Sequence, residues 1–422
     1  MLRIGLLSIA YLAIYITNRK NYLYQIFGLS CAYLIFLTAF KEMDIPMSLL
    51  VMLCFLTLMP KKRYVSKVQF IYFVYIIIYV VIGILFQEKM TTVIIAITRY
   101  SFLLLALLQS EKELPQKISW DDFLIKTLKI GTIVEIILAA YLLLNGDLQD
   151  RLTINHQAIS GSLSVGLIVL NLTLYFAYKR TWYIKHGMIY LLLNFGVILL
   201  SGTRGYIVMA VLPLIPFLYD YIIISNEGGR GRRILIFLLL CILMLAGVLF
   251  YSQIMSRIAT VLRVQDSLGY RENENKFIRD LFVVEPIVNK LFGFGLGGRA
   301  NHLPYTHSIA VQASGTRYWM VSKLLTETTC HNYIYMILFK QGLLGLGLFI
   351  IVICAIKNRI KAAVYDNRFF YYTLLLSLIG IIVSLMFRIS GTCGIFETLC
   401  TVWGSKIMLY RNNYETSMEE ED

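Results

Sequence analysis

The chain has 422 residues, of which 58% are hydrophobic and 15% charged, and its formal net charge is +14 from 39 basic and 25 acidic residues. This apolar excess excludes a water-soluble domain of average composition and predicts a membrane protein that crosses the bilayer many times. The basic residues lie in short loops between apolar stretches, so the charge indicates positive-inside anchoring and not nucleic-acid binding.

Apolar segments long enough for membrane helices recur along nearly the whole chain. We expect about twelve or thirteen of them, so the predicted fold class is an all-α polytopic membrane protein. In chain order the segments lie near 4–16, 22–40, 45–59, 68–86, 92–109, 128–144, 159–178, 186–201, 205–224, 234–252, 331–356, 369–387 and 394–410.

Basic clusters at 60–67, 178–185, 228–233 and 357–368 predict which loops face the cytoplasm. The intervening loops then face outward, and one of them is long enough to carry structure outside the membrane. The predicted organisation is therefore membrane helices over 1–252, a long extracytoplasmic loop over 253–330, membrane helices over 331–410, and a short acidic cytoplasmic tail over 411–422.

Arg204 stands in the stretch LLSGTRGYIV, at the outward ends of two apolar segments. A charge costs about 2.5–3.5 kcal/mol at the bilayer centre and much less near the interface, so an arginine is tolerated there. Two interpretations stay open: the guanidinium snorkels to lipid phosphates, or it clamps a phosphate or diphosphate in a bidentate manner. The flanking Gly202 and Gly205 would let a ligand approach closely.

The long loop holds nine basic and six acidic residues, and this excess indicates an anionic ligand on the outer face. Arg271 and Arg279 are eight residues apart, which places them roughly on one face of a continuous helix. The run GFGLGG at 293–298 then offers a flexible backbone of close approach. Without a preceding strand it is no dinucleotide fingerprint, and an ordinary turn is the alternative.

His331 stands at the outward start of the segment HNYIYMILFKQGLLGLGLFIIVI. An imidazole titrates near neutral pH and can accept a proton from an attacking hydroxyl. The alternative is a histidine that caps the helix or lies at the membrane interface.

Several other ionisable residues compete for a role. Arg99 and Glu135 fall inside predicted spans, where they are functional candidates or a structural pair. Asp44, in an outward loop, is a candidate catalytic acid, and Arg317, in a second SGTR at 314–317, is a candidate phosphate ligand. Neither the cysteines nor the two loop carboxylates Glu272 and Glu274 have companions at metal-ligand spacing, so we expect no metal and no cofactor.

The order of these motifs over residues 186–353 resembles the O-antigen polymerase and ligase superfamily. In that family an SxSR seam joins two spans at the outer face, as SGTRG does here with threonine in place of the second serine. The stretch NKLFGFGLG is similar to the family's hPLLGxGxG without its proline, and HNYIYMILFKQGLLGL is similar to the family's HN helix with a downstream GLLGL.

The resemblance implies a glycosyltransferase-C-like fold in a multi-pass protein of the bacterial cytoplasmic (inner) membrane. It also implies an enzyme that polymerises undecaprenyl-diphosphate-linked oligosaccharide repeat units into O-antigen, capsular or exopolysaccharide at the outer face. Arg204 with Arg271 or Arg279 would bind the diphosphate, and His331 would be the catalytic base. The expected partners are the lipid-linked glycan donor, the glycan acceptor, membrane lipids, a chain-length regulator and a flippase.

Two other functions stay open. An O-antigen ligase would transfer the glycan to the lipid A core, and the sequence has no feature that identifies the acceptor. A lipid-linked glycan flippase or transporter belongs to a different class and predicts internal repeats, of which the sequence has no sign.

Overall fold

A computed structural model describes residues 67–85, 120–145, 162–177, 186–200, 204–221, 265–295, 332–363 and 368–387, short pieces at 153–154, 157–158 and 308–311, and four residues of the first apolar segment. This described part is all-α apart from one pair of two-residue strands, which confirms the all-α part of the predicted fold class. The segments predicted near 22–40, 45–59, 92–109, 234–252 and 394–410 lie outside the described residues.

Nine helices of six or more residues occur in the described part, and their bounds follow the apolar segments closely. They are α1 (Lys67–Leu85), α2 (Trp120–Asn145), α3 (Ser162–Ala177), α4 (Met188–Leu200), α5 (Arg204–Tyr219), α6 (Gln265–Val284), α7 (Ile287–Phe292), α8 (Tyr333–Ala363) and α9 (Arg368–Phe387). Helices α6 and α7 belong to the long loop, where the sequence predicts no span.

The structure differs from the prediction in α2 and in the loop that follows it. Helix α2 begins at Trp120, well before the apolar segment near 128–144, because Phe123 and Leu124 in the preceding WDDFLIK are buried in the core and extend the packed face of the helix. In the predicted outward loop that follows, β1 (Thr153–Ile154) pairs antiparallel with β2 (Gln157–Ala158), Thr153 opposite Ala158.

Helix α3 is the centre of the bundle. Every side chain from Leu163 to Tyr175 is buried, and α2, α4, α5 and α9 all pack against it. Two of its polar side chains donate hydrogen bonds inside the protein: Asn171 Nδ2 donates to the Gly187 carbonyl at 3.0 Å, and Thr173 Oγ1 donates to the Val169 carbonyl at 2.9 Å. A helix that is hydrophobic all round is the kind that a bundle can enclose completely.

The apolar part of α2, from Ile130 onward, has its isoleucines on the outside and its threonine and glutamate on the inside. On α2, Ile130, Ile133 and Ile137 are 50–60% exposed, whereas Thr132 and Glu135 are each 1% exposed. In water, burial of isoleucine and exposure of glutamate would be favoured; the reverse arrangement is typical of helices in lipid.

One helix in the described part, Ile334–Asn358, has the length and apolar composition needed to cross a membrane. Four shorter apolar helices accompany it: Leu163–Phe176, Met188–Leu200, Tyr206–Tyr219 and Arg368–Val383.

Helices α5 and α9 connect this bundle to α8. They pack closely, because Gly380 on α9 lies so near Met209 on α5 that a Cβ at Gly380 would be 3.1 Å from the Met209 Cα. Helix α8 packs against α9 on one side and against α1, α6 and α7 elsewhere. The loop helices therefore reach the bundle through α8.

Candidate functional site

The segment predicted as one continuous apolar helix from 331 to 356 is broken at Gly342. Gly342 has φ 63° and ψ −162°, a conformation that is essentially restricted to glycine, and the helix resumes directly after it. The break removes the usual i+4 donors of the three preceding carbonyls, those of Phe339, Lys340 and Gln341. Each of these carbonyls accepts a hydrogen bond from another part of the chain.

The glycine-rich turn supplies two of the three donors. The Phe294 N–H donates to the Phe339 carbonyl at 3.0 Å, and the Gly295 N–H donates to the Lys340 carbonyl at 2.7 Å. The turn is thus bonded directly to the backbone of α8 just before the break. The glycines of GFGLGG are expected to allow another group to approach the backbone closely, and at Gly293 to Gly295 the backbone of α8 does so.

Two glycines face each other at this junction. Gly293 has φ 66° and ψ −162°, nearly the angles of Gly342. A Cβ on Gly293 would overlap the Gln341 amide nitrogen, and a Cβ on Gly342 would overlap the Leu291 carbonyl oxygen. Both positions therefore require glycine for conformation and for space.

Helix α1 supplies the third donor. The Tyr79 hydroxyl donates to the Gln341 carbonyl at 2.7 Å, and the Tyr75 hydroxyl donates to the Gln341 Oε1 at 2.6 Å. Both tyrosines are buried, whereas several isoleucines of the same helix, such as Ile71 and Ile77, are exposed. The contact between α1 and the break in α8 could not be read from the sequence, since the residues are more than 260 positions apart.

An apolar cluster holds the loop on the first half of α8. Phe277, Ile278 and Leu281 of α6 pack with Phe294 and with Met336 and Ile337 of α8, and the short piece at 308–311 adds two further buried residues. The Phe294 side chain is fully buried and lies 5.1 Å from the Phe339 ring, centroid to centroid. The two sequence motifs, NKLFGFGLG and HNYIYMILFKQGLLGL, thus form one packed unit.

Asn332 begins α8 as its N-cap. Its Oδ1 accepts hydrogen bonds from the backbone N–H groups of Ile334 at 3.0 Å and Tyr335 at 3.4 Å. The asparagine of the HN pair is therefore the residue that caps the helix. His331, the predicted catalytic base, directly precedes this cap and lies outside the described residues.

The two loop arginines lie on one continuous helix, as the spacing predicts, since α6 runs from Gln265 to Val284. The Arg279 side chain is 63% exposed, and its Nε lies 3.5 Å from the Oδ1 of Asp280. Arg271 lies two turns before the buried Ile278. On the same helix Glu272 is exposed and Glu274 buried, so these carboxylates do not share a face.

Glu285 lies in the turn between α6 and α7, and Lys290 lies on α7. Burial raises the pKa of Glu285 to about 8, and the positive charge of Lys290 opposes that rise to a smaller extent. The Lys290 ammonium donates to the Val283 carbonyl at 2.9 Å, at the C-terminal end of α6, where a cation is favoured.

A buried lysine lies at the junction, and the sequence interpretation missed it. Lys340 is 4% exposed, its carbonyl accepts from Gly295, and its ammonium is 4.7 Å from the centroid of the Phe339 ring. A charge inside an apolar segment could have drawn attention to it, because such residues are functional candidates by default.

The remaining predicted residues lie apart from this junction or outside the described part. Arg204 is the first residue of α5, as expected from a seam between two helices. Arg99, Arg317 and Asp44 lie outside the described residues. Glu135 is buried on α2, near the Thr132 hydroxyl that accepts from Asn194 Nδ2 at 2.8 Å.

No protein-family model matches the chain, and no curated protein matches it either.

Proposed function

We propose that the chain is a polytopic membrane glycosyltransferase that polymerises undecaprenyl-diphosphate-linked repeat units at the outer face of the bacterial cytoplasmic membrane. The fold would be glycosyltransferase-C-like, with the long loop on the outer side of the protein. Transfer would need no metal.

The observation that carries the proposal is the junction between Gly293–Gly295 and the break at Gly342. Two hydrogen bonds of 3.0 Å and 2.7 Å join two of the three motifs on which the family resemblance depends. A shared order of motifs is weak support by itself, but motifs that also pack into one unit support a common site. The second motif also contains the histidine that precedes α8, and the loop helix that packs on α8 carries the two arginines.

The exposed apolar faces of the helices support the membrane part of the proposal. Isoleucines lie outside and threonine, asparagine and glutamate lie inside, which suits a hydrocarbon surround. The break in α8 also fits, because non-helical backbone at membrane depth needs protein donors for its carbonyls, and the three carbonyls before Gly342 have them.

In the proposed reaction an acceptor sugar hydroxyl attacks the anomeric carbon of the donor glycan. The bond from that carbon to the diphosphate oxygen breaks, and the hydroxyl proton passes to His331. Arg204 with Arg271 or Arg279 would stabilise the charge that develops on the lipid diphosphate, and Lys340 is a further cation that we assign to it. Direct displacement inverts the anomeric centre.

The test uses the purified full-length protein in nanodiscs with undecaprenyl-diphosphate repeat units as both donor and acceptor. The wild type should lengthen the glycan in the presence of a chelator, and His331→Ala and Arg204→Ala should not. His186→Ala and Arg368→Ala, at exposed positions predicted to face the cytoplasm, are the matched controls and should retain activity.

The outcome also separates the two family functions. Product that forms only when a lipid A core acceptor is added would indicate a ligase. Full activity of folded His331→Ala and Arg204→Ala would refute the site assignment.

A further inference from the structure

The corner between α6 and α7 exposes a compact apolar surface in a loop predicted to lie outside the membrane. Val283, Val284, Ile287 and Val288 are 52–73% exposed, and Phe292 is 38% exposed. We call these five residues the corner patch. An apolar patch of this kind on a protein surface is uncommon without a partner.

The polar groups of the corner are either buried or hydrogen-bonded. Glu285 is 7% exposed, and the Lys290 ammonium is bonded to the Val283 carbonyl. Pro286 at the start of α7 has no N–H to leave unpaired. The five side chains of the patch are therefore hydrocarbon, with Glu285 buried beneath them and the half-buried Lys290 bonded to the backbone at their edge.

The position of the break in α8 fixes the depth of the corner. The helix from Leu343 to the basic cluster at Lys357 is about 21 Å long at 1.5 Å per residue. The hydrocarbon core is about 30 Å thick, so with Lys357 at the cytoplasmic boundary Gly342 lies roughly 9 Å below the outer one. Tilt of the helix would place it deeper.

The corner lies beside the break. The Leu291 carbonyl of α7 is in contact with Gly342, and α7 packs along α8. Directly after the break, Leu343 and Leu344 are 47% and 46% exposed, so the apolar outer face of α8 continues next to the patch.

We propose that the corner patch inserts into the outer leaflet of the bilayer and contacts its acyl chains. The inference rests on the membrane part of the proposed function and not on its chemistry. The partner is the lipid hydrocarbon, because the patch adjoins the lipid-facing side of α8 at hydrocarbon depth. Insertion would hold the loop, with its glycine turn, against the membrane surface where a lipid-linked substrate arrives.

The test places a tryptophan in the patch of the full-length protein, reconstituted in nanodiscs of phosphatidylcholine with or without bromine on the acyl chains. Val288→Trp is the main variant, Ile287→Trp is the second in case the first fails to fold, and Lys276→Trp, exposed on α6, is the matched control. The fluorescence of the native tryptophans is subtracted in each case.

Bromolipid should quench the added fluorescence of Val288→Trp at least about twofold and leave that of Lys276→Trp nearly unchanged, because only the first ring would lie among acyl chains. Acrylamide in the aqueous phase should quench Lys276→Trp strongly and Val288→Trp only weakly. Equal quenching of the two variants by acrylamide would overturn the proposal, and so would a Val288→Trp signal quenched by neither agent, which would indicate a protein interface. No glycan substrate is used, so this result is independent of whether the chain transfers sugars.

Discussion

The junction between the glycine turn and α8 predicts a specific response to a single added methyl group. In Gly342→Ala the new Cβ would overlap the Leu291 carbonyl, and the backbone would hold alanine at φ 63° and ψ −162°. We expect the loop to separate partly from α8. Gly347→Ala is the matched control, because nothing lies within 4 Å of a Cβ at Gly347 on the same helix.

Two limits set the expected loss of unfolding free energy in Gly342→Ala. Alanine in this conformation costs about 1–3 kcal/mol before any overlap is counted. Complete separation would lose two backbone hydrogen bonds, about 1 kcal/mol each, and the burial of Phe294, about 2–3 kcal/mol, so it sets a ceiling of about 4–5 kcal/mol. The expected destabilisation is therefore about 2–4 kcal/mol.

Thermal unfolding in nanodiscs and limited proteolysis of the loop measure this effect. Gly342→Ala and Gly293→Ala should both unfold at lower temperature and be cleaved faster in the loop. Their double variant should be less destabilised than the sum of the two, since one separation relieves both overlaps. Additive losses, or a Gly342→Ala protein as stable as Gly347→Ala, would refute the reasoning.

Three further predictions follow from the surroundings of the junction. Tyr79→Phe leaves the Gln341 carbonyl without its hydroxyl donor and should lower unfolding stability by about 1–3 kcal/mol, measured in the same assay. The pKa of Glu285 is about 8 in the folded state against an ordinary value of 4.5, so between these pH values the folded state binds one more proton than the unfolded state. The free energy of unfolding should therefore fall as pH rises from about 4.5 to 8 and level off above. The slope should be smaller in Glu285→Gln, and an unchanged slope would contradict the burial of a protonated carboxyl. Lys340→Met should reduce glycan transfer at least about tenfold without loss of thermal stability, whereas Lys357→Met, exposed on the same helix, should not; equal activities would remove Lys340 from the site.

Helix positions were predictable from the sequence because each apolar segment is bounded by polar clusters. The bounds of α1, α3, α4 and α9 differ from the predicted ones by only a few residues. The break at Gly342 was not predictable in the same way. Glycine inside an apolar helix is common, and only the contact with Gly293, some fifty residues earlier in the chain, requires the unusual backbone angles.

For the candidate site, the sequence indicated the glycine turn and the HN helix as separate features. Their direct contact depends on tertiary packing around Phe294, which no local pattern encodes. The role of Asn332 as the cap was available from the sequence in principle, since asparagine is a favoured N-cap residue. The roles of Tyr75 and Tyr79 were not, because interfacial tyrosines are equally common in membrane helices.

The hydrogen bond from Tyr79 to Gln341 has a consequence for biosynthesis. The two residues are 262 positions apart, so at 5–20 residues per second the ribosome needs roughly 15–50 s to make the second after the first. During that interval the Tyr79 hydroxyl lacks its Gln341 acceptor, and the new helix must remain near water or be held by the insertion machinery. Truncated chains that end before Gln341 should therefore stay bound to that machinery for longer than chains that include it.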